Sequence, residues 1–245
     1  MSGIFGAVCK SDCSELILYG TDYHSHLGTE FGGIVILGED FNRQIHNISQ
    51  GQFKSKFYSD YLNMKGNKGL GVISDFDEQP VYIKSKLGPF CLVTNGLLEN
   101  KDKLVYGLME RGGSLSEFSK KNVNSTELVA KLITQGNNIV EGIEKVFDMI
   151  DGSCSMLLLN KDGLFAVRDR LGYSTLIIGK RGDDYVVTTE TSALANLDFE
   201  IIKELMPGEV VFINETGIVQ MAQGNSKMPN MFFFMDIYSF SCFKS

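Results

Sequence analysis

Proline is scarce in this chain, four residues in 245 against 26 glycines, and histidine is scarcer still at three. No proline-rich linker, internal repeat or low-complexity stretch divides the sequence, so a single domain over 1–245 is expected. Cysteine occurs in an odd number (Cys9, Cys13, Cys91, Cys154 and Cys242) with no C-x-x-C pair. That argues against a disulfide framework and for a reducing, cytoplasmic setting, since Cys91 and Cys154 sit in apolar runs where free thiols are commonly buried. The three histidines, His24, His26 and His46, make no metal set. "HSH" at 24–26 reads as structural or solvated, and neither a metal nor a cofactor is expected. No apolar run approaches the roughly 20 residues of a membrane span, and no basic leader precedes "SGIFGAV", so no membrane partner is expected. Lysine and arginine form no cluster and the net charge is −7. No nucleic-acid partner is expected on that balance.

What is present is an ordinary globular composition, 43% hydrophobic and 22% charged. Glycines separate short strand-like runs: "GIFGAVC", "GGIVILG", "GLGVISD" and "GPFCLVTNG" first, then "SCSMLLLN", "GLFAVRD", "STLIIGKR", "DYVVTTE" and "GEVVFIN". "NKDG", "RGDD" and "NETG" between the later runs are hairpin turns by composition. "SELILYGTDYHSH" reads as an early helix. Two more helices lie between the strand groups. Asn124 with Glu127 three residues on is a capping-box-like start, Leu128, Val129, Leu132 and Ile133 give an apolar face, and Gly136 is a stop. Ile139, Ile143, Val146, Phe147 and Ile150 repeat at helical spacing in the next. Strands, then helices, then strands predict an α+β layered fold with largely antiparallel sheets.

The chemistry question sits at Ser2. An N-terminal serine, threonine or cysteine attacks an amide carbonyl with its own free α-amine as general base, an amine whose unperturbed pKa is near ~7.7–8.0. This requires removal of Met1, which a small second residue permits. From that position alone Ser2 is simply the second residue.

The rest of the sequence resembles one family. "SGIFGAV" is similar to the "CGI-G" opening of class II glutamine amidotransferases, and to the glutaminase half of the amidophosphoribosyltransferases among them. "HLGTEFGGIVI" at 26–36 resembles "HRGQESAGI", and "GLGVISDFDEQPVYI" at 69–83 resembles "GHVRYPTAG…AQPFY". "VTNGLLEN" at 93–100 resembles "HNGNLTN", and "NSTELVAKL" at 124–132 resembles "SDSELL". "LFAVRDRLGYSTLIIGKR" at 164–181 is similar to "FAVRDPYGIRPLVLG", and 186–213 to "VASESCALD…RDVEPGEIV". Even "MPNMFFFMDIYSF" at 228–240 resembles "KPCIFEYVYF". The resemblance implies a four-layer α/β/β/α sandwich, the N-terminal nucleophile hydrolase fold. It also implies hydrolysis of glutamine to glutamate and ammonia. The phosphoribosyltransferase half is expected to be absent, so that released ammonia would need a separate acceptor protein.

The implied site residues carry over unevenly. The nucleophile position holds Ser2 instead of cysteine, a weaker nucleophile than a thiol that ionises near ~8.5. Asn95 and Gly96 keep the pair whose N–H groups would face a tetrahedral oxyanion; without the resemblance, "TNG" reads as a strand-to-turn step. The carboxylate-gripping arginine falls at Ser74, with Asp75 beside it to repel an anion. The ammonium-binding aspartate falls at Ser125, and a supporting arginine falls at Leu27. Lys84 and Lys86 are the nearest cations, and strand alternation turns both to solvent. Losing two desolvated charge contacts, at roughly 2–5 kcal/mol each, predicts glutamine binding weaker by orders of magnitude. Arg168 and Asp169 read as a structural ion pair, and Glu190 as a residue that caps or orients the helix after it.

Three functions are therefore expected in descending order. The first is a non-catalytic amidotransferase-like domain with a regulatory or binding role, or the remnant of a larger enzyme, whose partner is a small amide, an amino acid, a protein or a second copy of the chain. The second is an N-terminal serine amidohydrolase acting on a neutral or cationic amide, favoured by Asp75 and Asp77. The third is a residual glutaminase. The aromatic C-terminal stretch is expected to pack on the domain or on a partner.

Overall fold

The structure, a computed structural model, describes residues 2–116, 118–119 and 122–225. Met1, Cys242 and the aromatic stretch at 228–240 lie outside the described residues.

In chain order the elements are β1 Ser2–Val8, α1 Ser14–Asp22, β2 Phe31–Leu37, β3 Phe41–Asn47, α2 Phe53–Tyr61, β4 Lys68–Ser74, β5 Val81–Ser85, β6 Gly88–Leu98 and α3 Lys101–Glu110. After the short pair β7 Phe118–Ser119 and β8 Asn122–Val123 come α4 Ser125–Ile133 and α5 Ile139–Met149. The last part is β9 Gly152–Asn160, β10 Gly163–Val167, β11 Ile177–Arg181, β12 Asp184–Thr188, α6 Thr191–Asn196, β13 Glu200–Glu204, β14 Val210–Asn214 and β15 Gly217–Ala222.

Two sheets result, in the orders β13-β11-β12-β1-β4-β2-β3 and β15-β14-β10-β9-β6-β5. Every described pairing in them is antiparallel. The central strands are apolar on both faces because both faces are covered. In β1, Ile4 and Val8 turn inward to meet Val93, Leu157 and Leu164 of the other sheet. Phe5 and Ala7 turn outward against Ile17 and Leu18 of α1. On the far side, Leu92, Met156 and Leu158 pack under Leu128, Leu132, Ile143 and Val146 of α4 and α5. Three apolar layers thus separate four layers of secondary structure, the α/β/β/α sandwich of an α+β fold.

The hairpins at "NKDG", "RGDD" and "NETG" form, with Gly163, Gly182 and Gly217 at positive φ. Asn124 caps α4 by accepting from the Glu127 N–H at 3.1 Å. Two helices escape the sequence pattern. In α2 only Phe53 and Phe57 are buried, and in α3 only Leu104 and Leu108. Each is a single i, i+4 pair in a polar segment; the helix expected after Glu190 forms as α6, six residues long.

Two expectations are corrected and one is narrowed. Asn95-Gly96 is no strand-to-turn step: both residues lie inside β6, paired with Ser155 and Cys154 of β9. Arg168 is not paired with Asp169. Its buried guanidinium binds Glu204 and the carbonyls of Leu205 and Gly172. Of the two roles read for Glu190, it makes no side-chain cap bond from the N-cap position of α6, but its carboxylate touches the helix by accepting from the Ser192 hydroxyl, and it meets His26 Nε2 at 2.8 Å.

Candidate active site

Ser2 opens β1, a central strand, and lies opposite Ser74 of β4 in register. Starting the sheet at its second residue buries that residue at the end of the sandwich, where the two sheets meet. The Ser2 backbone nitrogen donates to Asn95 Oδ1 at 3.1 Å, a bond from one sheet to the other. The Ser2 hydroxyl donates to Ser74 Oγ at 3.3 Å. Ser74 Oγ also accepts the N–H groups of Phe76 and Asp77, both at 3.2 Å, and so shapes the turn after β4.

The Asn95 amide is held at both ends. With Oδ1 facing Ser2, its Nδ2 donates to Ser174 Oγ at 3.1 Å. Ser174 is in turn placed by Asp169, whose buried carboxylate accepts from Ser174 N, Leu171 N, Tyr173 N and the Ser155 hydroxyl. The segment after β10 thereby fixes the orientation of an amide on β6. Gly96 has no room for a side chain, since a Cβ there would run into the Ser153 carbonyl. Close approach of β9 is what requires glycine at this position.

Beside these groups lies a cleft of about 230 Å³. Ser2, Ser74, Gly96 and Ser125 line it, together with Asp77 and Lys101. Asn95 stands behind Ser2 and Gly96, bonded to the former. Asp75 is not in the lining; its carboxylate takes the Thr29 N–H at 2.7 Å, away from the cleft. Lys84 and Lys86 are exposed on and after β5, outside the cleft. Of the sequence candidates, then, Ser2, Ser74, Asn95, Gly96 and Ser125 come together and Asp75 does not.

Asp77 carries the main electrostatic feature. It is 8% exposed, and its Oδ2 accepts the Ser125 N–H at 3.1 Å at the start of α4. Burial holds its carboxyl above the usual carboxylate range, although the Lys101 charge and donors from Ser125 and Thr126 pull it back. Lys101 and Ser174 are the functional candidates missed in the sequence. Lys101 depends on α3, whose weak pattern hid its start, and Ser174 on contacts 79 residues apart.

The remaining histidines are structural in placement. His24 is fully buried between the Gly20 carbonyl and Thr188 Oγ1, at 2.9 Å from each. His46 meets Asp60 at 2.6 Å. Among the described residues no group of three or more His, Cys, Asp or Glu side chains is placed to hold a metal ion, and no helix is long and apolar enough to cross a membrane.

Comparison with known proteins places this arrangement. A family model described as a glutamine amidotransferase domain matches residues 70–196. The amidophosphoribosyltransferase of Methanocaldococcus jannaschii is 29% identical over 230 residues, 89% of this chain and 48% of that protein. The Bacillus subtilis amidophosphoribosyltransferase is 28% identical over 228 residues, 88% of this chain and 46% of that protein. Among solved structures, the glutamine phosphoribosylpyrophosphate amidotransferase from B. subtilis, complexed with ADP and GMP, superposes with a TM-score of 0.85 at 25% identity. That match covers 98% of this chain and 53% of the other. The chain spans about half the length of the curated relatives it matches. The layered sandwich is the N-terminal nucleophile hydrolase fold of these neighbours.

Proposed function

Because the chain belongs to the glutamine amidotransferase domain family, we propose that its cleft holds a small amide or amino-acid ligand, with glutamine hydrolysis much weakened. The observation that carries this reading is the hydroxyl of Ser2 at the head of the cleft, where the resemblance calls for a thiol. A serine hydroxyl is the poorer nucleophile near neutral pH. Ser74 and Ser125 add no charge at the two positions where the resemblance calls for arginine and aspartate. The four described cysteines are free and buried, which supports a reducing, cytoplasmic setting. A protein partner or a second copy of the chain belongs to the same proposal, as receiver of the bound ligand or its product.

A second reading, an active N-terminal serine amidohydrolase, is favoured by one specific contact. The Ser2 nitrogen, which becomes the α-amine once Met1 is removed, is held by Asn95 Oδ1 beside the hydroxyl it would deprotonate. Asn95 and Gly96 then stand where N–H groups could face an oxyanion.

One experiment separates the readings. Ammonia release is measured from L-glutamine and from a panel of small neutral and cationic amides, on protein whose intact mass lacks Met1. Weakened hydrolysis means glutamine turnover below about 1 s⁻¹, the lower end of ordinary enzyme rates. That turnover should be abolished in Ser2→Ala and raised by roughly an order of magnitude or more in Ser2→Cys. Wild-type turnover of glutamine at ordinary rates would overturn the proposal. Ser2-dependent turnover of another amide establishes the second reading.

A further inference from the structure

The cleft at Ser2 contains two charged side chains of opposite sign, and neither is at a position where the resemblance puts one. Asp77 reaches it from the turn after β4 and Lys101 from the first residue of α3; the other lining side chains carry no charge. The Asp77 carboxylate is almost wholly buried, yet its donors are few: the Ser125 N–H and hydroxyl and the Thr126 N–H. A carboxylate has about four acceptor sites, so capacity remains on the cleft side. The Lys101 ammonium has no hydrogen bond or ion pair among the described residues, although it is close enough to act electrostatically on Asp77. Two opposite charges in one small cleft, near each other but not joined, are the complement of a ligand carrying both signs.

We propose that Asp77 and Lys101 are the specificity-determining residues of this cleft in place of the charges absent at Ser74 and Ser125, Asp77 holding the ammonium and Lys101 the carboxylate of an amino-acid ligand. The cleft volume of about 230 Å³ suits a ligand of that size, being below the roughly 300–1,000 Å³ that takes drug-sized molecules. The inference rests on the reading of the cleft as a ligand site. It changes the cause of weakened hydrolysis: the two charges missing at Ser74 and Ser125 are supplied by Lys101 and Asp77, and the deficit lies in the Ser2 nucleophile. A buried carboxylate is better off with an ammonium beside it than alone, which gives Asp77 a preference for cations.

The test is calorimetric titration of the full chain carrying Ser2→Ala, so that binding is read without turnover. The probes are the twenty standard L-amino acids, then the C-terminal amide and the N-acetyl form of the one that binds tightest. Lys101→Met should weaken the parent amino acid about tenfold or more, as expected for losing a bond to a charged group, and leave its C-terminal amide unchanged. Asp77→Asn should weaken the parent likewise and leave the N-acetyl form unchanged. The truncated ligand in each case controls for misfolding, since a collapsed cleft would lose both. Binding of no amino acid, or equal losses for parent and truncated ligands, overturns the charge assignment. Failure of this selectivity beside Ser2-dependent turnover in the wild-type chain overturns the charge assignment alone and leaves the hydrolase reading standing.

Discussion

Acid should destabilise this protein through one histidine before its carboxylates are titrated. His24 follows α1 and is fully buried against β1. Its Nδ1–H donates to the Gly20 carbonyl, so in the neutral ring Nε2 is left to accept from the Thr188 hydroxyl. Burial pushes its pKa from 6.5 down to about 4; the Gly20 carbonyl opposes this and the neighbouring His26 reinforces it. In the unfolded chain the same imidazole takes its proton near 6.5. Between those values the unfolded state binds more protons than the folded state, so stability falls as pH falls from about 6.5, and this contribution levels off below about 4. The full gap corresponds to about 3 kcal/mol, of which about 2 kcal/mol is already lost at pH 5. The assay is urea unfolding at pH 7 and pH 5 for the wild-type chain and for His24→Gln, which has no titrating ring. All other groups are common to both, so the wild type should lose about 2 kcal/mol more than the variant between the two pH values. Equal acid losses in the two proteins would refute the reasoning and mean that His24 is protonated in place without penalty.

Two further substitutions test the frame of the site. Asn124→Ala removes the cap on α4 and the bond from Nδ2 to the Glu78 carbonyl; unfolding midpoints should report a loss of about 1–2 kcal/mol. Gly96→Ala forces a Cβ against the Ser153 carbonyl. It should cost about 1–3 kcal/mol in the same assay, as overpacking does, and should weaken ligand binding as β6 moves away from β9.

A layered α+β fold was legible in the sequence because its strands are buried on both faces, and "GGIVILG" or "SCSMLLLN" can bury itself in few other ways; the four-layer order came from the resemblance. The hairpin turns and the α4 cap were legible because they are local chemistry. Helices α2 and α3 were not, since two buried side chains in nine or ten residues set no period. The site divides along the same line. Ser2, Asn95 and Gly96 stand in short motifs and could be found there. Asp75 and Asp77 are two residues apart on one turn, and only the fold decides that the first turns to Thr29 and the second to Ser125. Ser174 reaches the site from a segment 79 residues away, by packing that leaves no mark on its neighbours, and Lys101, close after Gly96, is placed by the hidden start of α3.

The bond from the Ser2 nitrogen to Asn95 has a mechanical consequence. It is a strut between two plates, seated at their rim, while the plates are held apart by the apolar layer of Leu70, Val93, Leu157 and Leu164. Any slip of one sheet over the other is therefore felt at the strut as a change of length or angle. The spacing of the plates is set by side-chain volume, so a methyl group removed deep in that layer acts on Ser2 through leverage without contact. Tuning this domain by mutation is thus an adjustment of the gap between two sheets as much as of the residues around the cleft.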